Sequence, residues 1–425
     1  MSVPPFAGET YPMFSSSIFF SESPRAVPRD CASACYVTSP GKELKEIQVQ
    51  VQVQNQPTQN IAVSVTLPSG FHYADGTYGK QVFHPDANGK INLQGLTCEA
   101  AVSNGQYWLL AEHSDGQAWA EIIVQADTIP TPGQAYETVF NSDGSRAYVN
   151  SAIDSDFTIS IIDTKSQTII ASLDDVDSPS GIALSPDENH LYICHYFPNT
   201  LSVVDTLTLS TVGVLPLGVY PSNIFLHPNN ALAYIKGENR ILVVDLDRLR
   251  VVTTINTGNV NGLVFGPNSK AYALVFDAPF VESVVKVLDT RDHLVTRTLP
   301  LGGVASRIGI STDSLSVYVP IFTRGPFDPG SWIAVIDTLV DGFRNNIEHG
   351  EVGLVEFGVS PDGKRLYTAN STPFVFSIDL QSLAVKSIPL GNNIRPYYLS
   401  VSPDNTWIYG GDLGNDRLFA LNVKE

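Results

Sequence analysis

Seven tyrosines recur along the chain, each inside a short apolar run: Tyr148, Tyr192, Tyr234, Tyr272, Tyr318, Tyr367 and Tyr409. Their spacings are 44, 42, 38, 46, 49 and 42 residues. A period near 40 repeated this often means that one supersecondary unit is copied along the chain, so the unit has to be defined before any local motif is read. Each unit has the same grammar. An apolar run such as Gly181-Ile182-Ala183-Leu184 leads to a turn, often Ser-Pro-Asp, as at Ser185-Pro186-Asp187, Ser360-Pro361-Asp362 and Ser402-Pro403-Asp404. Proline presets the backbone angle of that turn and Asp or Gly completes it. The tyrosine run follows, then a polar loop, then a third run closing on Asp163, Asp205, Asp245, Asp289, Asp337 or Asp379. A fourth run, such as Thr211-Val212-Gly213-Val214-Leu215, ends the unit. Short β-branched and aromatic runs bounded by Pro, Gly, Asn and Asp are strands.

Four strands per unit at this period describe a blade of a β-propeller. Seven blades are expected. The seventh runs out after its third strand, at Leu418-Phe419-Ala420-Leu421, so its fourth strand is expected from the front of the domain, around residues 126–134. Closing the ring in that way removes open sheet edges. The repeats resemble the YVTN-type β-propeller family through Ala147-Tyr148-Val149-Asn150, Leu366-Tyr367-Thr368-Ala369-Asn370 and the Ser-Pro-Asp-Gly frame around them. The resemblance covers about 300 residues. That family and its neighbours include sugar-lactone hydrolases, DNA-associated envelope proteins and surface-layer proteins, which the resemblance offers as functional expectations. The chain departs from the pattern in blade four, with a long loop over 277–282, and in blade five, with an insertion over 323–332.

Residues 1–126 follow another pattern. Glu46-Ile47-Gln48-Val49-Gln50-Val51-Gln52-Val53 alternates strictly, as a half-buried strand does, and 61–67 alternates next. Further strands fit 81–84, 90–96, 106–111 and 118–125, with an extra one at 15–20. Short strands in that number suggest an immunoglobulin-like sandwich, and the segment looks like bacterial Ig-like modules through Leu67-Pro68-Ser69-Gly70 and the turn at 86–90. The expected fold class is therefore all-β, an N-terminal Ig-like β-sandwich (1–126) followed by a seven-bladed β-propeller (127–425).

A chain of 425 residues is ample for two domains with cores of their own. Its net charge of −18 argues against nucleic acid as a partner, since a phosphate-binding surface needs a basic stripe. No apolar stretch approaches the length of a membrane span, and no basic-then-apolar leader opens the chain. The architecture favours the cell envelope or the extracellular space all the same. Of the four cysteines, Cys31, Cys35 and Cys98 leave several pairings open, and Cys194 reads as a small buried hydrophobe in a blade strand. The chain has no nucleotide loop, nucleophile elbow or metal-ligand spacing, so no cofactor and no metal are expected.

The repeat locates the site. The first strand of each blade lines the central channel, and stepping back 11 residues from each tyrosine (10 in blade four) reaches Glu137, Gly181, Asn223, Gly262, Arg307, Glu356 and Tyr398. Such equivalent positions are small or apolar if they serve packing alone, and most of these are polar. Glu137 and Glu356 are candidate acid, base or metal-ligating groups, and Arg307 is a candidate anion anchor; equally, Arg307 and Glu356 can simply pair. Tyr397 is a neighbour in the channel. His195, Lys236 and Arg324 are candidates on the rim, where loops joining second and third strands carry aromatics. The aspartates repeated at the end of every third strand read as turn holders. The expectation is a binding protein that takes a protein, a glycan or a small anionic ligand at the channel mouth, with a lactonase-like hydrolase as the alternative.

Overall fold

The structure, a computed structural model, describes residues 16–20, 35–44, 46–53, 61–99, 102, 104–114, 116–124, 126–154, 156–174, 176–228, 231–277, 282–322, 332–344, 346–348, 356–370, 372–391 and 394–423. Among them every regular element is a strand. The chain divides into two compact units, the first built mainly from residues 1–127 and the second mainly from 128–420.

In the first unit, Ser16–Phe20, Ile47–Val53 and Lys90–Leu93 form one antiparallel sheet. A second sheet has the order Cys35–Thr38, Gly116–Val124, Gly105–His113, Val63–Thr66, Lys80–Phe83, and only its first pair is parallel. The alternating glutamines behave as the pattern predicts. Ile47, Val49 and Val51 are buried, whereas Gln48 donates sideways to Asn92 Oδ1 at 2.9 Å. Val65, Phe71, Leu109 and Ile122 share one apolar cluster with them. Cys98 is a buried free thiol in that cluster, its pKa pushed up to about 12 by burial. Cys31 lies outside the described residues.

The second unit is a ring of seven sheets, each taken in chain order from the channel outward. The first strands are Gln134–Phe140, Pro179–Leu184, Asn223–Leu226, Asn259–Gly266, the pair Val304–Ala305 and Gly309–Ile310, Glu356–Val359, and Pro396–Val401. Blade seven contributes only three strands from its own repeat, and Asp127–Pro130 adds the fourth against Arg417–Asn422. Ile129 of that closing strand is 3% exposed and packs in one cluster with Ala135, Val149, Leu418 and Ala420. The seam between blades seven and one is tight. A Cβ on Gly411 would stand 2.1 Å from the Ala135 carbonyl oxygen, so only glycine fits there.

The repeating residues have repeating jobs. All seven tyrosines are buried between or within blades. Their rings bring large apolar area, and the hydroxyl still needs a partner. Tyr272 OH donates to Asp341 Oδ1 at 2.6 Å, Tyr409 OH to Gln167 Oε1 at 2.9 Å, and Tyr234 OH lies 3.0 Å from His293 Nδ1. The third-strand aspartates accept from backbone N–H groups two or three residues on, as in Ser166 N–H to Asp163, Thr208 N–H to Asp205 and Ser382 N–H to Asp379, each at 2.7 Å. They hold turns at the blade ends and carry no chemistry.

Candidate functional site

Irregularity in the first strands is what aims side chains into the channel. The pairing register shifts between Ala135 and Thr138, Pro179 and Gly181, Val260 and Gly262, and Tyr397 and Leu399. In blade five the first strand is broken altogether between Ala305 and Gly309. A bulge frees one residue from the ladder and redirects it. The freed residues are Tyr136 with Glu137, Ser180, Asn261 and Tyr398, and Arg307 sits in the break. Tyr398 adopts a φ of +53°, which is uncommon for a bulky side chain and costs on the order of 1–3 kcal/mol.

These residues join neighbouring blades in a belt of polar bonds. From blade one to two, Ile182 N–H donates to Glu137 Oε2 at 3.0 Å and Asn150 Nδ2 donates to the Pro179 carbonyl at 3.2 Å. Ser180 Oγ donates to the Pro221 carbonyl at 2.6 Å, tying blade two to the approach of blade three. Asn261 Nδ2 reaches the Ser306 carbonyl at 2.6 Å. Arg307 holds Glu356 through Nε at 3.3 Å and Nη2 at 3.1 and 3.2 Å, and backbone N–H groups of Tyr398 and Leu399 also donate to Glu356. Ser400 Oγ closes the ring on the Thr138 carbonyl at 2.8 Å. Between blades three and four no such bond joins the first strands among the described residues, and Asn223 Oδ1 instead accepts from its own neighbour Ile224 at 2.7 Å.

Two cavities open inside the belt. One of about 250 Å³ is walled by Tyr136, Asn150, Phe157, Ser180 and Ser222, among others. The other, about 190 Å³, is walled by Thr138, Phe225, Asn261, Gly262, Arg307 and Glu356, among others. Glu137, Asn223 and Tyr398 belong to both walls and so form the partition. Each wall also holds a buried polar atom that no protein group satisfies, Asn150 Oδ1 in the first and Thr138 Oγ1 in the second. Both residues are only 5% exposed. Leaving such an atom unpaired costs about 1–3 kcal/mol.

The electrostatics are uneven around the ring. Burial pushes the Glu137 carboxyl up to about 7, against the opposing pull of the Ile182 N–H and of Arg307. Burial also raises Glu356, opposed first by Arg307. The Tyr398 hydroxyl is pushed up to about 12, first by burial. The Arg307 guanidinium lies 4.9 Å from the Tyr398 ring centre. A carboxyl whose folded pKa is raised contributes stability that is full below its unfolded pKa and is lost as pH rises through the folded value. Glu137→Gln mimics the neutral acid and avoids that loss. It is expected to be about 2–3 kcal/mol more stable than the parent at pH 8 and nearly equal to it at pH 4, as read by chemical denaturation at the two pH values.

Of the sequence-predicted site residues, Glu137, Asn223, Arg307, Glu356 and Tyr398 come together in the wall of one cavity, with Gly262 beside them. Gly181 does not join them, because the Asn223 backbone packs 2.7 Å from where its Cβ would be. Tyr397 belongs to neither wall and instead packs edge-on against Tyr398 at 4.4 Å. Lys236 stands opposite Asn223 in the ladder, behind the wall, where burial and then Arg307 lower its pKa. His195 lines neither cavity: it is 7% exposed, with Nδ1 2.6 Å from the Asp177 carbonyl and Nε2 2.9 Å from Ser202 Oγ, and so braces the loop ahead of blade two. Arg324 lies outside the described residues. The rim does carry an aromatic group: Tyr196, Phe197 and Tyr220 are partly exposed with ring centres 4.9–5.6 Å apart. Thr138 and Asn150 were missed from the sequence, although Asn150 ends the Ala-Tyr-Val-Asn motif itself.

No protein-family model matches the chain. It is 25% identical over 273 residues, 54% of its own length and 67% of the relative's, to the seven-bladed β-propeller protein Rv1057 of Mycobacterium tuberculosis (strain ATCC 25618 / H37Rv). Among solved structures it is similar to Kuenenia stuttgartiensis hydrazine synthase, with a TM-score of 0.59 and 18% identity over 71% of this chain and 97% of that one. It is also similar to the Myceliophteria thermophila Cps50 (Swd1) β-propeller domain, with a TM-score of 0.58 and 11% identity over 70% and 98%. At such identities the two structural likenesses speak for the fold alone, and the fold they speak for is a propeller.

Proposed function

We propose that this protein is a binding protein whose propeller channel holds a small polar ligand, with the rim aromatics available to a larger one. The observation that carries the reading is the pair of adjoining cavities partitioned by Glu137, Asn223 and Tyr398, each with an unsatisfied buried polar atom in its wall. Holding Tyr398 at positive φ in the partition carries a backbone cost that a channel serving packing alone has little reason to keep. Propeller domains serve generally in binding and interaction, which agrees with this reading. Assignment of the repeats to the YVTN type, of residues 1–126 to an Ig-like module, and of the boundary near residue 127 belongs to the same proposal. It is supported by the motifs quoted above and by the paired sheets of the first unit.

The lactonase-like alternative draws on Glu137, whose carboxyl titrates near neutrality and so suits proton transfer. It has less support because the second carboxylate, Glu356, is 2% exposed and engaged by Arg307. The test is a thermal-shift screen of the full chain against small anions, neutral polyols and ammonium compounds. At 100 times its Kd a ligand of the folded state stabilises by about 2.7 kcal/mol, enough to register. A stabilising compound in any class is the expected result. Silence in all three classes would overturn the channel as a ligand site.

A further inference from the structure

The polar belt is open at one seam, between blades three and four, and the charge around that seam is unbalanced. Lys236 stands in the second strand of blade three, within electrostatic reach of Arg307, and its ammonium group has no hydrogen-bond or ion-pair partner among the described residues. Arg307 uses Nε and Nη2 on Glu356, which leaves Nη1 without a bond among the described residues while the side chain lines the cavity. Glu356 is thereby neutralised. Glu137 is the other carboxyl in the wall, and one of its oxygens is already held by Ile182 N–H. The seam thus offers cationic donors without a matching acceptor. In the same wall Gly262 carries no side chain, and Phe225 and Leu263 give apolar surface.

We propose that this seam takes a small hydroxylated carboxylate. This rests on the reading of the channel as a ligand site and narrows it to one charge class. The carboxylate accepts from Arg307 Nη1, Lys236 adds attraction from the second strand of blade three, and the ligand hydroxyl meets the polar wall at Glu137 and Asn223. A guanidinium with a free edge is suited to a carboxylate, and for partly buried groups the attraction is screened less than at the open surface. The titratable groups around Glu137 are Cys194 from blade two, Lys236 from blade three, Arg307 from blade five, Glu356 from blade six, and Tyr397 and Tyr398 from blade seven, with Tyr136 beside it in its own strand. A bound anion favours the neutral form of Glu137, which can then donate a hydrogen bond into the cavity, so binding takes up a proton. With burial pushing the Glu137 carboxyl up to about 7, only about a tenth of the protein carries it neutral at pH 8.

The experiment is calorimetric titration of the full chain with glycerate and with mandelate at pH 6 and pH 8. Glyceramide and mandelamide serve as neutral counterparts, and 3-amino-1,2-propanediol as a cationic one. The acids are expected to bind about tenfold more weakly at pH 8 than at pH 6, and the amides and the amine at least tenfold more weakly than the acids at pH 6. Glu137→Gln is expected to bind the acids equally at the two pH values. Equal binding of acid and amide, or an affinity of the parent that ignores pH, overturns the proposal. Silence of both acids overturns it as well; the channel reading survives that result if a neutral or cationic compound of the wider screen binds, and falls with it if none does.

Discussion

Arg307→Ala is expected to destabilise the second unit by about 3–5 kcal/mol, because it strands a carboxylate that is 2% exposed. Glu356 sits in the first strand of blade six with two oxygens facing Arg307 Nε and Nη2, and only the N–H groups of Tyr398 and Leu399 would remain to it. The stranded group escapes by taking a proton. The loss should therefore shrink as pH falls toward the ordinary carboxylate range and be greatest above neutrality. Denaturant unfolding of Arg307→Ala at pH 5 and pH 8 reads both the size and the sign. The pair Arg307→Met with Glu356→Leu removes both charges and is expected to recover most of the loss, since a buried ion pair adds little beyond what apolar packing supplies. If Arg307→Ala cost less than about 1 kcal/mol, the pair would have to be solvated, and the account of the cavity wall would be wrong.

Ile129→Asp is the second large effect, expected at about 3–5 kcal/mol, with loss of cooperative unfolding of the ring. Ile129 belongs to the strand that closes the ring, and its side chain lies among Ala135, Val149, Leu418 and Ala420. A charge there has no partner in the cluster. Releasing Asp127–Pro130 would also uncover the edge of Arg417–Asn422, an invitation to pairing between molecules. Scattering during thermal unfolding, earlier in the variant than in the parent, checks this second consequence. A neutral effect would mean that the ring does not depend on the strand from the front of the domain.

Much of this was readable because one residue type keeps time. The tyrosines fill equivalent places in the core, so counting back from them gives an aligned ring of positions without any knowledge of the loops. That count reached six residues in one cavity wall: Glu137, Asn223, Gly262, Arg307, Glu356 and Tyr398. It also supplied the missing strand of blade seven, since a sheet that runs out of chain has to borrow. The count fails where function depends on contact rather than on type. His195 has the look of a ligand residue, and only the structure shows both ring nitrogens engaged by Asp177 and Ser202. Thr138 and Asn150 matter through what does not reach them, which no residue pattern encodes. The break in the first strand of blade five leaves no mark on the count, because Arg307 still lies 11 residues before Tyr318.

The most direct measurement is a high-resolution crystal structure of the full chain soaked with whichever compound stabilises it most. The account predicts density for that compound in the channel, in contact with the partition formed by Glu137, Asn223 and Tyr398. The compound bound elsewhere on the surface, with Thr138 and Asn150 satisfied by protein groups and the channel closed, would contradict it.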